Sequence, residues 1–233
     1  MPTPVPSVRL HADELARLRS LHGRAVLDVG CGGGGFVQEL LRHGADAVGL
    51  ETDEGQLARA RAAGIDAARL RTGRAGALPF PDASLDVVCC IFTLHHFAPD
   101  EQLRAFDEAA RTLRPGGGLF VVEPTPHGPM SEVLKPLEDE TDVRTRSIAL
   151  LDTGMFAGLA RGPRRGYEVA RSVSGPDELI RGMIDVDPAR AVRAADPAVR
   201  EAIHRRFAQH AEAADGGTWL LRQPCVAYFF ERA

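Results

Sequence analysis

The sequence predicts an α/β fold built around a mainly parallel β-sheet. Short apolar runs typical of buried strands alternate, along the first half of the chain, with segments whose apolar residues have helical spacing. The run at 85–91 is apolar almost throughout, as strands buried on both faces tend to be. The segments between the runs are long enough for right-handed β-α-β units, which join parallel strands.

The elements follow in chain order. An irregular arm of about ten residues carries three prolines, and helical spacing predicts a short helix at 12–21. Our strand count is seven: 25–30, 46–51, 66–71, 85–91, 119–123, 165–172 and 224–231. Helices are predicted at 36–41, at 53–63 and at 99–113, where Leu103, Phe106, Ala110 and Leu113 form an apolar stripe. Residues 125–162 show no strand pattern and predict a helical insertion, or lid, over the sheet.

Composition sets the broad class. A chain of 233 residues that is 44% hydrophobic and 26% charged is typical of one globular domain. We divide it into an arm and first helix (1–24), a first half (25–123), the insertion (124–163) and a C-terminal half (164–233). A net charge of −4 argues against nucleic-acid binding, and no apolar run is long enough to span a membrane.

The four cysteines form no C-x-x-C pair, and the adjacent Cys89 and Cys90 lie in an apolar run that predicts core packing. We therefore expect neither a disulfide framework nor a zinc site, and a cytoplasmic location. The first residues lack the features of a signal peptide.

The strongest functional signal is the glycine-rich loop after the first strand. Gly30, Gly32 and Gly35 match G-x-G-x-x-G, and Glu51 stands about twenty residues on, at the end of the second strand. Missing Cβ atoms let a ligand approach the backbone, and the following helix presents free N–H groups. A carboxylate at a strand tip can accept hydrogen bonds from both ribose hydroxyls. Dinucleotide enzymes and other nucleoside-binding proteins share this pattern.

Asp28 favours one kind of ligand over the other. It lies two residues before Gly30, where a carboxylate would repel the pyrophosphate of a dinucleotide. A carboxylate there suits a ligand with an ammonium group, or helps to hold the loop. The residues thus favour a cationic nucleoside over NAD.

Four ordered motifs resemble those of class I S-adenosylmethionine-dependent methyltransferases, in the small-molecule branch called methyltransferase type 11. They are the loop motif at 26–34, the second-strand motif at 48–51, the segment at 77–88 followed by Leu94-His-His, and the turn at 108–118. The resemblance covers roughly residues 20–125. It implies a Rossmann-like, doubly wound sheet of seven strands with the last strand antiparallel.

The resemblance also implies a site. Asp28, Gly30 and Gly32 would hold the methionine end of S-adenosylmethionine, Glu51 the ribose, and backbone near Cys90 the methionine side. Thr52, Arg74 and Ala75 complete the predicted cofactor-binding set. The chain departs from the family at Gly73-Arg74-Ala75, where an acidic residue often accepts the adenine amino group, since Arg74 offers no acceptor.

Methyl transfer mainly needs alignment of the acceptor with the methyl group, and acceptors that lose a proton also need a base. His95, His96 and His127 follow predicted strands, and we select His96 and His127 as the catalytic hypotheses. His95 and His96 also fit a local packing role at a helix start. The acidic pairs Glu138/Glu140 and Asp185/Asp187 are expected to be solvated, and we predict no metal.

The preferred hypothesis is therefore a methyltransferase that modifies an O, N or C nucleophile of a small molecule, as a monomer or homodimer. An NAD-dependent oxidoreductase and a non-catalytic or repurposed S-adenosylmethionine-binding protein are the alternatives.

Overall fold

The computed structural model describes residues 7–233, so most of the predicted N-terminal arm lies outside the described residues. One mixed sheet carries the fold. Its strands are β1 (Ala25–Val29), β2 (Asp46–Glu51), β3 (Leu70–Thr72), β4 (Leu85–Ile91), β5 (Leu113–Pro124), β6 (Leu159–Val173), β7 (Glu212–Ala213) and β8 (Trp219–Arg232). The helices are α1 (Ser7–Leu18), α2 (Gly35–Arg42), α3 (Glu54–Ala62), α4 (Pro99–Thr112), α5 (Pro129–Leu134), α6 (Thr141–Thr153), α7 (Pro176–Val186), α8 (Arg190–Ala194) and α9 (Pro197–His210).

The strand order is β3-β2-β1-β4-β5-β8-β6, and the two-residue β7 pairs with β8. Strands β1 to β5 are mutually parallel, whereas β8 runs antiparallel to both β5 and β6. The predicted α/β fold with an antiparallel last strand is confirmed. The short β7 is an addition to the seven predicted strands.

Alternating side chains of the sheet build two cores. Val26 packs on one face with α1, α2 and α3, while Leu27 packs on the other face with α4 and α6. Helices α5, α7, α8 and α9 form a third apolar cluster against the ends of β6 and β8. The predicted helical insertion thus contains α5 and α6. Helices α7, α8 and α9 lie between β6 and β8 in the chain, and we call α5 to α9 together the helical cover.

Several boundaries differ from the sequence predictions. Helix α1 begins at Ser7 and ends at Leu18, several residues earlier than predicted. Strand β3 begins at Leu70, because Asp66 caps a 3₁₀ turn over Ala67–Arg69. Strand β6 begins at Leu159, inside the predicted insertion, since it pairs with β8 along the extended edge of the sheet.

The predicted stripe of α4 is partly wrong. Leu103 is exposed, and the buried face carries Gln102, Phe106, Ala109 and Ala110 instead. Gln102 reaches the core because its Nε2 donates to the Leu94 carbonyl at 3.0 Å. The predicted core packing of Cys89 and Cys90 is confirmed, and all four cysteines are buried and free. None of the helices within residues 7–233 combines the length and apolar content needed to cross a bilayer.

Candidate functional site

A cavity of about 770 Å³ opens at the carboxyl ends of the parallel strands. Its first wall comes from the residues that follow β1, β2 and β4, including Gly30, Glu51 and Phe92. Its second wall comes from the part of the chain after β5, including Met130, Arg144 and Met183. Open α/β sheets bind their ligands at this edge.

The glycine loop turns sharply because three of its residues have left-handed backbone. Gly30, Gly32 and Gly34 have φ of +72°, +50° and +77°. A Cβ at Gly30 would lie 2.2 Å from Thr93 Cγ2, and one at Gly34 would lie 2.0 Å from Ile65 Cδ1. The third required glycine is therefore Gly34; Gly35, the third glycine of the predicted motif, simply opens α2.

Glu51 is held by backbone donors. Its Oε2 accepts from the Gly32 N–H at 2.9 Å, and its Oε1 accepts from the N–H groups of Thr52 at 2.7 Å and Asp53 at 3.1 Å. These bonds tie the tip of β2 to the glycine loop. A carboxylate has about four lone-pair sites, so Oε2 keeps acceptor capacity toward the cavity that Glu51 and Thr52 line.

Two residues of the predicted cofactor-binding set, Asp28 and Cys90, do not line the cavity. Asp28 is buried beneath the loop. Burial, together with the nearby Glu51 carboxylate, raises the pKa of Asp28 to about 8, so the carboxyl is neutral at pH 7. At the end of β4 the lining comes from Ile91, Phe92 and Thr93 instead. Alternation along the strand turns Cys90 into the core.

Arg74 and Ala75 both line the cavity, as does Glu101 at the start of α4. The Arg74 guanidinium donates to Glu101 through Nε at 3.2 Å and Nη2 at 3.0 Å. Sequence reasoning treated Arg74 as a lone departure from the family. The structure shows that it is paired with an acid 27 residues later, which no local motif marks.

The two adjacent histidines have different environments. His95 is buried, with its Nδ1 2.6 Å from Glu123 Oε2. His96 lines the cavity with its side chain about half exposed, and its Nε2 lies 4.0 Å from Glu140 Oε1. Loss of solvation and the neighbouring His95 lower the pKa of His96, so its imidazole is neutral at pH 7.

His127 does not line the cavity. Its side chain is mostly exposed, and its Nδ1 lies 3.8 Å from Glu132 Oε1. The chain turns after β5, where the Thr125 hydroxyl donates to the His127 carbonyl. His127 follows a strand as predicted, but it lies outside the cavity lining.

Sequence reasoning missed a charged cluster, the Glu140 cluster, formed by Glu138, Glu140, Arg144 and Arg190. Arg144 pairs with Glu140 one helical turn away, while Arg190 contacts Glu138 at 2.6 Å and Glu140 at 3.5 Å. The expected solvation is therefore wrong for Glu140, which is largely shielded from solvent, whereas Glu138 is exposed and ion-paired. Burial alone would raise the pKa of Glu140, but Arg144 and the two histidines outweigh it and the pKa is lowered. The four-residue spacing of Glu140 and Arg144 was the one available signal.

His95, His96 and Glu140 are residues of the types that can bind a metal ion. One ligand atom from each of His95, His96 and Glu140 lies within 4.8 Å of the others. Both Arg144 and Arg190 contact the Glu140 carboxylate, and their charges oppose a bound cation. The arrangement suits charge pairing better than metal binding.

Comparisons with known proteins agree with this geometry. The protein named uncharacterized methyltransferase YcgJ, from Bacillus subtilis, is 33% identical over 136 residues, which are 53% of this chain and 52% of the relative. The 27-O-demethylrifamycin SV methyltransferase of Amycolatopsis mediterranei is 36% identical over 127 residues, 50% of this chain and 46% of the relative. This chain spans about half the length of the curated relatives it matches.

The fold likeness extends further than the sequence likeness. The crystal structure of YcgJ from Bacillus subtilis superposes with a TM-score of 0.60 at 18% identity, covering 96% of this chain and 99% of that one. The family model described as a methyltransferase domain matches residues 27–121. This match, the glycine loop with Glu51 and the strand order together support a methyltransferase domain of the class I S-adenosylmethionine-dependent kind at residues 27–121.

Proposed function

We propose that this protein transfers a methyl group from S-adenosylmethionine to an O, N or C nucleophile of a small molecule. The observation that carries the proposal is the shared cavity, in which a bare glycine backbone and the Glu51 carboxylate lie beside a second wall rich in polar side chains. The family's cofactor is S-adenosylmethionine. The alternative of an NAD enzyme has no support among the matched relatives.

The first wall fits that cofactor. Positions where a Cβ of Gly32 or Gly33 would project meet nothing nearer than 3.9 Å, so the loop leaves open space that side chains would fill. Gly30 and Gly32 would hold the methionine end, Glu51 and Thr52 the ribose, and Arg74 and Ala75 the adenine side. When bound, S-adenosylmethionine supplies an electrophilic methyl group to the acceptor.

The protein would accelerate the reaction mainly by orienting the acceptor toward the methyl group. Phe92, Met130 and Met183 give the cavity apolar surface that excludes water around the acceptor. Well-oriented intramolecular reactions reach effective molarities of about 10⁵–10⁸ M, so alignment alone can supply much of the acceleration.

His96 is the residue we propose for proton removal. Its imidazole is neutral at pH 7, and Nε2 can accept a proton from a hydroxyl or ammonium acceptor. The Glu140 carboxylate, 4.0 Å away, would stabilise the imidazolium that forms. We no longer select His127, because it lies outside the cavity lining.

The nature of the acceptor is inferred from the relatives and from charge. Two relatives are named for O-methyl transfer to small molecules, one acting on a rifamycin and one in ubiquinone biosynthesis. The net charge of −4 disfavours a nucleic-acid acceptor. We propose that residues 25–123 bind the cofactor, and that the remainder shapes the acceptor site within one domain.

Calorimetry with S-adenosylhomocysteine tests the cofactor assignment. Glu51→Ala should weaken binding by about 1.5–3 kcal/mol, the contribution of hydrogen bonds to a charged group. Glu54→Ala is the matched control, since Glu54 pairs with Arg61 and Thr72 outside the cavity and its loss should leave affinity unchanged. Equal affinities of wild type and Glu51→Ala would refute the ribose assignment.

Two further measurements test the activity itself. NADH should not bind at micromolar concentrations, and saturable binding would favour the oxidoreductase alternative. Mass spectrometry should detect a gain of one methyl group in members of a panel of small hydroxylated and amino compounds. Cofactor binding without transfer to any of a broad panel would favour a repurposed binding protein.

A further inference from the structure

The acceptor wall of the cavity carries three arginines, Arg144, Arg171 and Arg190. Two of them form ion pairs with neighbouring acidic side chains. Arg144 pairs with Glu140, and Arg190 pairs with Glu138 and Glu140. These two guanidinium groups therefore complete the Glu140 cluster and hold the helical cover together.

Arg171 is different. Its side chain is half-buried and lines the cavity, yet within residues 7–233 it makes no hydrogen bond or ion pair. The pKa of the Glu178 carboxyl is lowered mainly by hydrogen bonds from the Ser174 hydroxyl and N–H, at 2.6 and 2.8 Å, and to a lesser extent by the Arg171 charge. Asp187, an acid of the cavity lining, accepts from the Ala189 N–H at 2.9 Å. A half-buried guanidinium that makes no hydrogen bond to the described residues has donors available for a ligand in the cavity.

Helix α7 makes room for this guanidinium. Gly182 stands in the interior of α7, where glycine is about 1 kcal/mol less favourable than alanine. A Cβ at Gly182 would lie 2.1 Å from Arg171 Nη2. The missing side chain thus leaves the space that the end of Arg171 occupies against the helix.

The surrounding sheet face adds polar groups. Val169 and Arg171 lie on the same face of β6, and Gln223 of β8 is the register partner of Val169. Gln223 accepts from the Ser131 hydroxyl at 2.9 Å, and Arg144 donates to that hydroxyl at 2.7 Å. A polar network therefore extends from the Glu140 cluster across the sheet to a position diagonal to Arg171.

We propose that Arg171 binds a carboxylate group of the methyl acceptor. This inference rests on the proposed function, since it names the chemical class of the acceptor at the same site. A guanidinium presents parallel N–H donors that match the two oxygens of one carboxylate. One unpaired guanidinium suits a single monoanionic group, which favours a carboxylate over a doubly charged phosphate.

The test compares two probes of similar shape, 4-hydroxybenzoate and 4-hydroxybenzamide, by saturation-transfer NMR titration in the presence of saturating S-adenosylhomocysteine. Wild type should bind the acid about 10- to 100-fold more tightly than the amide, as expected for charge-assisted hydrogen bonds. Arg171→Met should abolish that preference. Arg205→Met, which removes an exposed arginine of α9 outside the cavity, should keep it.

Gly182→Ala provides a second variant that leaves Arg171 in place. The added methyl should displace the guanidinium and reduce the preference for the acid, while helix propensity leaves the protein at least as stable. Urea unfolding verifies the stability of both variants.

The outcomes separate the two proposals. Failure of wild type to bind S-adenosylhomocysteine in calorimetry would overturn the proposed function. Normal cofactor binding with equal affinity for acid and amide, or an acid preference that survives in Arg171→Met, would overturn the role of Arg171. Tighter binding of phenyl phosphate than of 4-hydroxybenzoate would contradict the carboxylate.

Discussion

The two walls of the cavity are built by different means. In the first wall, which contains the glycine loop, Glu51 is held by N–H groups of the next two residues and of that loop. On the acceptor side, Arg190 is held by Glu138, 52 residues earlier, and Ser131 by Gln223, 92 residues later. The first wall is formed by backbone hydrogen bonds within one β-α-β unit, whereas the second depends on side chains that only the complete fold brings together.

The comparisons with relatives follow the same division. The family model matches 27–121, while the structural likeness to YcgJ covers 96% of the chain. The backbone hydrogen bonds of the first wall depend on Glu51 and on the backbone of the glycine loop, and not on pairs of side chains from distant elements. A wall of side-chain pairs can change its residues within an unchanged fold, which is how one fold serves many acceptors.

The largest expected effect is a loss of stability when the Glu140 cluster in the second wall is broken. Glu140→Gln should leave Arg144 and Arg190 without their shared countercharge, and breaking a buried ion pair from one side costs about 3–5 kcal/mol. Urea unfolding followed by circular dichroism measures this loss. Glu201→Gln, whose carboxylate is 3.7 Å from Arg205 on the exposed face of α9, should leave stability nearly unchanged. Similar stabilities for the two variants would mean that the cluster does not hold the cover together.

A somewhat smaller loss of stability is expected when a glycine of the first wall is replaced. Gly34→Ala should lower the free energy of unfolding by about 2–4 kcal/mol, from left-handed backbone and from crowding against Ile65. Gly35→Ala is the matched control, because its Cβ would meet Val8 at an ordinary 3.6 Å and alanine favours the helix. Comparable losses at both positions would restore the original assignment of Gly35.

The smallest effect is a pH dependence centred on Asp28. In the unfolded chain this carboxyl has its ordinary pKa of 3.8, and in the folded chain the pKa is about 8. Between these values the unfolded state releases a proton that the folded state keeps, so stability falls as pH rises. The slope is roughly 1 kcal/mol per pH unit from this group alone.

Asp28→Asn should remove this slope, and the difference between the two unfolding curves measured from pH 5 to pH 7 reports it directly. Parallel curves would show that Asp28 is ionised in the folded protein, and hence available as a carboxylate beneath the glycine loop.

Sequence patterns predicted the strands, the glycine loop and Glu51 because each depends on neighbours within one β-α-β unit. They were less reliable where a residue's direction depends on a distant partner. The Cys90 side chain packs in the core although the adjacent Ile91 lines the cavity, and burial raises the pKa of Asp28. His127, in the turn after β5, lies outside the cavity lining, while pairing with β8 extends β6 to Leu159.

The sequence by itself determined the sheet, the glycine loop and the position of Glu51 at the edge of the sheet, since apolar periodicity and glycines with left-handed backbone depend on consecutive residues. Only the tertiary structure decided which charged side chains meet across the helical cover, that Glu140 is ion-paired, and that Arg171 makes no hydrogen bond or ion pair within residues 7–233. The physical reason is range: backbone hydrogen bonds and left-handed turns are local, whereas the pairing of buried charges is resolved only when elements separated by tens of residues pack together.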